Sequence, residues 1–257
     1  TTQLHRWLLL HAVRTLAGPK HSGQYGGAAP DALIVLLHAL ASMHDAKGDV
    51  AVPGLKREPW KGYSYDDAEF RELAEIAPGL PFVGTGGLGE RLWSGPAITV
   101  TGIDAPSVEK AVNAVQPYAR ATLNVRVHPE QDAAEAQQAV VKYFKGLRPM
   151  GIALEVTAGA TGNGFAAATN GAAYVAAKEA LASAWGQPTV MVGSGGSIPL
   201  VNALQRAQPK AEILLLGATD GRSNIHAPDE RVLLSEFRNA VVAEAEFFQR
   251  YAAQWRG

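Results

Sequence analysis

Apolar positions along the chain change their period several times, and each change marks an element. Residues 4–16 mix apolar and basic side chains up to the Gly18-Pro19 stop and predict a strand. After the glycine-rich run His21-Ser22-Gly23-Gln24-Tyr25-Gly26-Gly27, Pro30-Asp31 opens a helix in which Leu33, Leu36, Leu37, Leu40 and Met43 recur at spacings of three and four. That helix is expected to stop near Gly48. Residues 97–102 and 119–127 predict strands. In the second, Arg120, Asn124 and Arg126 oppose Leu123, Val125 and Val127 only in part, so the pattern assigns the strand without its faces. Residues 129–147 carry Ala133, Ala136, Val140, Val141 and Phe144 at helical spacing, and 152–157 reads as a strand. The order strand, helix, strand, strand, helix, strand is that of a split βαβ sandwich, an antiparallel sheet with two helices on one side. It closes at about residue 158.

The pattern then changes. Beyond the glycine-rich bridge at 159–164, helices at 172–185, 200–207 and 235–255 alternate with strands at 189–192 and 211–217, as α/β units do. Ile213-Leu214-Leu215-Leu216 is apolar on both faces, like a central parallel strand, yet two strands cannot bury one another. The rest of that sheet has to come from elsewhere. Residues 50–96 form an irregular insertion rich in Gly and Pro, with Trp60, Tyr63 and Tyr65 and a short helix at 66–76; a connection this long reads as a binding loop or lid. Its Gly84-Thr85-Gly86-Gly87-Leu88-Gly89 matches G-x-G-x-x-G, the basis of an alternative nucleotide-binding reading. Pro81 stands where the preceding strand belongs and Pro96 soon breaks any helix beyond the glycines, so dinucleotide binding is not expected.

The 257 residues, 47% apolar and 18% charged, suit one large or two modest globular domains. A net charge of -1 with no Lys/Arg cluster argues against nucleic acid as a partner, and no apolar run approaches the roughly 20 residues that span a bilayer. With no cysteine, any metal must sit on His and carboxylates, and a cytoplasmic location is expected. Thr1 opens the sequence without the basic start or cleavage site of a signal peptide, and the expectation is a chain that begins partway through a larger protein.

The chemistry concentrates near the C-terminus. Gly193-Ser194-Gly195-Gly196-Ser197-Ile198-Pro199 packs small residues and hydroxyls into a turn whose backbone N–H groups suit a carboxylate or carbonyl oxygen. Asn224-Ile225-His226-Ala227-Pro228-Asp229-Glu230 places one histidine just after the strand expected at 211–217 and ahead of a long helix. A functional zinc site needs at least three protein ligands, and the others are not visible. His5, His11, His38, His44 and His128 show no metal-site spacing and read as structural or solvated.

Five motifs in order complete the picture: His21-Ser22-Gly23 with Gly26-Gly27, the split βαβ unit, Val125-Arg126-Val127-His128-Pro129-Glu130-Gln131, Gly195-Gly196-Ser197-Ile198-Pro199, and His226-Ala227-Pro228-Asp229-Glu230. Together they resemble the M20 metallopeptidases, closest to the dipeptidase and carnosinase-like branch, from about Thr1 to the C-terminus. The resemblance implies a ferredoxin-like lid at 1–158 that mediates dimerisation, with its insertion at about 50–96. Residues 159–257 then correspond to the C-terminal half of a zinc-peptidase-like α/β/α catalytic domain. In that family two zinc ions sit in the catalytic domain, with most ligands and the general base in an N-terminal half for which this sequence shows no counterpart: it has neither a His-x-Asp nor a Glu-Glu pair.

By the same resemblance His226 is a zinc ligand, and His21 reaches across the dimer to stabilise the oxyanion at the partner's site. Asn113 lies near the substrate and Arg126 holds its terminal carboxylate, while Gly195, Gly196 and Ser197 line the carboxylate end of the pocket. Gly193-Ser194 stands where many members carry Arg-Glu, which removes charge there. The implied activity is hydrolysis of a peptide bond in dipeptides or similar small substrates by zinc-activated water, with the chain alone inactive and an N-terminal fragment as a partner. The alternative is a non-catalytic dimerisation or peptide-binding module derived from such a peptidase.

Overall fold

The computed structural model describes residues 2–12, 14–164, 169–193, 199–225 and 228–253. In chain order the elements are β1 (Thr2–Ala12), β2 (Lys20–His21), α1 (Ser22–Tyr25), α2 (Ala32–Ala41), α3 (Asp67–Leu73), β3 (Ala97–Asp104), β4 (Ala114–Val115), β5 (Ala119–Val127), α4 (Ala133–Gly146), β6 (Leu154–Thr157), α5 (Ala172–Trp185), α6 (Pro199–Ala207) and α7 (Leu234–Ala253). They divide into two compact units. The first is Thr1–Lys61 with Pro81–Phe165 and Gly193–Pro199; the second is Gly62–Leu80 with Ala166–Val192 and Leu200–Gly257. The insertion expected at 50–96 is therefore itself shared, its 62–80 segment lying in the second unit.

The first unit is built on a four-stranded sheet ordered β3-β5-β1-β6, every neighbouring pair antiparallel. Each crossover, β1 through α2 to β3 and β5 through α4 to β6, skips the strand lying between, which is the split βαβ topology. Strand β5 decides which face is buried. Ala119, Ala121, Leu123, Val125 and Val127 all point into the core, so Arg120, Thr122, Asn124 and Arg126 take the opposite face. The faces the pattern left unassigned are thus strictly alternating. Val35, Leu36 and Ala39 of α2 and Ala136, Val140 and Phe144 of α4 complete the core, all fully buried.

Local polar chemistry sets the element ends. Asp31 caps α2, one carboxylate oxygen accepting from Leu33 N at 2.8 Å and Ile34 N at 3.3 Å. Its other oxygen accepts from Gln116 N at 3.1 Å, which ties the helix to the entry of β5. The helix stops at Ala41 rather than near Gly48, because the Asp45 carboxylate accepts from Lys47 N (2.8 Å) and Asp49 N (3.0 Å), offering the backbone a turn in place of another helical round. Helix α4 starts at Ala133 rather than Pro129 for the same kind of reason. Asp132 caps it through Ala134 N and Glu135 N, after a turn closed by Gln131 N on His128 O.

The glycine-rich 84–89 segment is a structural corner. Gly86 has φ +80°, a left-handed conformation natural to glycine, and a Cβ there would meet Glu90 Oε1 at 2.7 Å and Arg57 Nη2 at 2.9 Å. Arg57 clasps the corner: Nε donates to Glu90 (2.5 Å), Nη1 to Asp49 (2.6 Å) and Nη2 to the Thr85 carbonyl. Asp49 also accepts from Thr85 N (2.9 Å) and Thr85 Oγ1 (2.5 Å), and these Thr85 hydrogen bonds, with Arg57 beside them, hold its carboxyl down at about 2 against an ordinary 3.8. A depressed carboxyl contributes stability that is complete above the unfolded value and is lost as pH falls from about 4 towards 2. Asp49→Asn is expected to lower the melting temperature at pH 7, with the gap from wild type closing across that window in calorimetric scans. A gap constant down to pH 2 would exclude the clasp as the cause.

In the second unit α5 packs on α7, with Ala173, Ala176 and Ala180 of one helix and Ala240 and Ala243 of the other buried. Trp185 Nε1 donates to Glu236 (2.8 Å) and Ser183 Oγ to Glu246 (2.9 Å), fixing the C-terminal end of α5 to α7. The expected strands at 189–192 and 211–217 are not formed: among the described residues this unit has no paired strand. A strand needs a neighbour for its N–H and C=O groups, and Leu215 and Leu216 are instead 60% and 52% exposed. Glu212 turns to α5, its carboxylate accepting from Ala173 N (3.3 Å) and Tyr174 N (3.0 Å), where Gly171 offers no side-chain cap. No helix of the described residues is long and apolar enough to cross a membrane.

Candidate active site

His21 and Asn113, far apart in sequence, are brought together by the short ribbon of β2 and β4. His21 pairs with Ala114, and Ser22 N donates to the Asn113 carbonyl at 2.9 Å. The His21 side chain caps α1, Nδ1 accepting from Gly23 N at 3.2 Å. An imidazole that accepts at Nδ1 carries its proton, when neutral, at Nε2. His21 and Asn113 are both exposed, so that N–H is available to an acceptor outside the ribbon. The arrangement is a preoriented donor on a surface projection.

Arg126 lies elsewhere, on the core-averted face of the four-stranded sheet, opposite Ala97 of β3 and Gln3 of β1. The same face carries Arg120, ion-paired with Asp104, and Thr122, whose Oγ1 lies 3.2 Å from Thr101 Oγ1. Partial burial lowers the Arg126 pKa from the ordinary guanidinium value. A partly desolvated planar fork is suited to bidentate carboxylate recognition.

The family model for the peptidase dimerisation domain of M20 enzymes matches residues 13–149. The chain belongs to the M20 metallopeptidase family. It is 38% identical over 243 residues to the cysteinylglycine-S-conjugate dipeptidase of Corynebacterium striatum, covering 93% of this chain and 53% of that protein. It is 23% identical to the human Beta-Ala-His dipeptidase over 247 residues, 90% of this chain and 48% of that protein. The solved structure of a di-peptidase from Saccharomyces cerevisiae superposes with a TM-score of 0.75 at 21% identity, covering 96% of this chain and 54% of that one, a likeness of fold. This M20 chain spans about half the length of the curated relatives it matches.

Of the residues singled out by the M20 resemblance, Gly195, Gly196, Ser197 and His226 lie outside the described residues. Their flanking segments are visible. Gly193 sits against the Trp93 ring, where a Cβ would fall 2.3 Å from Cγ, and Trp93 stacks obliquely on Trp60 at 5.2 Å. Ahead of His226, buried Ser223 bonds to the Asp220 carboxylate at 2.8 Å and its carbonyl accepts from Arg231 N at 3.0 Å. Asn224 and Asp229 adopt φ +52° and +62°, conformations these two residue types tolerate better than most.

Sequence reasoning set His128 aside, but the structure gives it close neighbours. Ligand-capable atoms of Glu58, His128 and Glu130 all lie within 4.8 Å of one another. The grouping fits an ion pair better than a metal. Lys56 Nζ already lies 3.1 Å from Glu58 and 2.9 Å from Glu130, as a cation between carboxylates. His128 is buried and its Nδ1 accepts from Glu130 N at 3.2 Å, which places the neutral ring's proton on Nε2, 3.6 Å from Glu58. Burial, with Lys56 nearby, lowers the His128 pKa and favours that neutral form. The contact bridges more than 70 positions along the chain, which is why spacing gave no hint of it.

Proposed function

We propose that this chain is the lid and the C-terminal catalytic segment of a metal-dependent dipeptidase that cleaves a peptide bond next to a residue with a free carboxylate. The ribbon that holds the His21 Nε2 donor beside Asn113 supports this reading most directly. Arg126 binds the substrate carboxylate, with Gly195, Gly196 and Ser197 supplying backbone N–H and hydroxyl groups at the same end. Asn113 lies along the substrate backbone. His21 donates to the oxygen on which negative charge develops, the interaction that lowers the barrier to acyl transfer. When bound, a pair of zinc ions supplies an activated water and polarises the carbonyl.

The described residues offer no metal ligand set apart from the Glu58 group already occupied by Lys56. His226 is one ligand of a shared set, the remainder belonging to the N-terminal half of an M20 catalytic domain. The exposed run at Leu215 and Leu216, together with Phe237, Val241 and Phe248 of α7, gives that half an apolar surface to cover. Homodimerisation proceeds through the lid, where Ile34 and Leu37 on the outer side of α2 and Val100 and Ile103 of edge strand β3 are exposed. The absence of cysteine fits a reducing cytoplasm.

The test is reconstitution. This chain with zinc alone is expected to leave a dipeptide panel intact, and the complete protein to hydrolyse it and lose activity to a chelator. Robust turnover by the isolated chain would overturn the division of the site. Peptide binding without hydrolysis by the complete, zinc-loaded protein would favour the non-catalytic module.

A further inference from the structure

Strand β5 is interior to its sheet, flanked by β3 and β1, and its core-averted face carries Arg120, Thr122, Asn124 and Arg126. The sheet itself accounts for two of these. Arg120 pairs with Asp104, and Thr122 Oγ1 lies 3.2 Å from Thr101 Oγ1. Asn124 is different. It is half-buried, it belongs to a residue type that strands disfavour, and its side-chain amide makes no hydrogen bond among the described residues. Such an amide costs stability unless water or a ligand supplies the partner.

The ladder is interrupted at the same place. Leu4 and Leu8 of β1 pair with Val125 and Leu123, so residues 5–7 of β1 stand against the single Asn124. On the other side β3 shifts register between Val100 and Gly102, against Leu123 and Thr122. Bulges bend a strand and re-aim its side chains, and they gather beside functional sites. Arg126 is two positions further along the same face, its Cα roughly 7 Å from that of Asn124. The strand positions opposite this pair, Gln3, Ala97 and Thr99, are uncharged, and Asp104 stands at the far end of the strand against Arg120. An amide donor and a guanidinium thus share a stretch of sheet whose facing strand positions are neutral.

We infer that Asn124 is a further specificity-determining residue, whose side-chain N–H donates to the same substrate carboxylate that Arg126 holds. The inference rests on the dipeptidase reading above. An ionised carboxylate has about four lone-pair sites and a guanidinium fork engages two, so a neighbouring amide finds an acceptor left to meet. A carboxamide terminus presents one oxygen and an N–H donor group instead, and the pair matches it less well.

The test uses the complete, zinc-loaded protein, the dipeptide of the panel that it cleaves fastest, and the C-terminal carboxamide of that dipeptide. Asn124→Leu, close in volume but without the donor, is expected to raise KM for the free dipeptide about tenfold, with kcat within about twofold of wild type. Asn124→Asp sets two carboxylates against one another and is expected to raise that KM about a hundredfold, while KM for the carboxamide stays level or falls. Both variants should keep the wild-type melting temperature, since no hydrogen bond of the strand is lost. Arg126→Gln is the reference. If it raises KM for the free dipeptide while Asn124→Asp leaves the preference for carboxylate over carboxamide unchanged, the role of Asn124 is overturned and that of Arg126 stands. Equal losses on both substrates with a lowered melting temperature would also overturn it, as the mark of a structural role. An unchanged KM in Arg126→Gln would overturn the carboxylate site itself, and the role of Asn124 with it.

Discussion

His21→Ala in the complete protein is expected to lower kcat by roughly 10²–10³-fold, the usual cost of removing one oxyanion donor, with a much smaller change in KM. The reason is geometric. Nδ1 is spent on Gly23 N, so the ring presents a single donor; in the proposed role its loss would remove an interaction strengthened as charge develops rather than one made equally to bound substrate. A mixing experiment tests whether the donor serves the other subunit. His21→Ala and His226→Ala homodimers should each retain no more than about a hundredth of wild-type activity. If His21 acts across the dimer, subunit exchange creates mixed dimers with one intact site, recovering about a quarter of wild-type activity at equal proportions. If His21 serves its own subunit, every site in the mixture lacks one of the two groups and no activity returns.

Phe144→Ala is expected to destabilise the first unit by roughly 3–5 kcal/mol, the range for deleting a buried aromatic side chain. Phe144 is fully buried on α4 and, among the described residues, is the largest of the fully buried side chains. It stands edge-on to the half-buried Tyr143, ring centroids 5.3 Å apart, and the Tyr143 hydroxyl donates to the Ser42 carbonyl at 2.6 Å just beyond α2. Truncation therefore opens a cavity beneath the point where the two helices are tied. Stabilities of single domains run to roughly 5–15 kcal/mol, so this one change consumes a large share. Chemical denaturation monitored by tryptophan fluorescence reads the loss; a shift below about 1 kcal/mol would show that α4 is not the support of the sheet.

How much of this was legible in the sequence depended on where each element finds its partners. Strand β5 and helix α5 begin and end where their patterns predict, at Ala119–Val127 and Ala172–Trp185, because alternation and helical spacing are enforced by burial along their own length. The ends of α2 and α4 were misplaced by side chains of Asp45 and Asp132, which bond to backbone groups two to four residues away and override the apolar rhythm. Apolar content alone predicted strands at 189–192 and 211–217, but a strand is a pairing, and the described residues supply no partner. In the Gly84 to Gly89 run, Gly84 and Gly86 leave room for the Asp49, Arg57 and Glu90 side chains of the clasp, a constraint the string of letters did not show.

The candidate site was open to sequence only in part. His21 and Arg126 were singled out by their motifs and Asn113 by the family resemblance, while the pairing of His21 with the Asn113 segment came only with the fold.

Asp31 also bears on how the first unit acquires its shape. Its two oxygens serve the first turn of α2 and the Gln116 amide, 85 positions later. The helix can start on local contacts, yet its cap is complete only after the whole intervening stretch has been looped back, a closure whose entropic cost grows only slowly with length. Folding of the first unit is therefore expected to be limited by the search that brings β5 home, with the long insertion carried along as slack rather than as a nucleus.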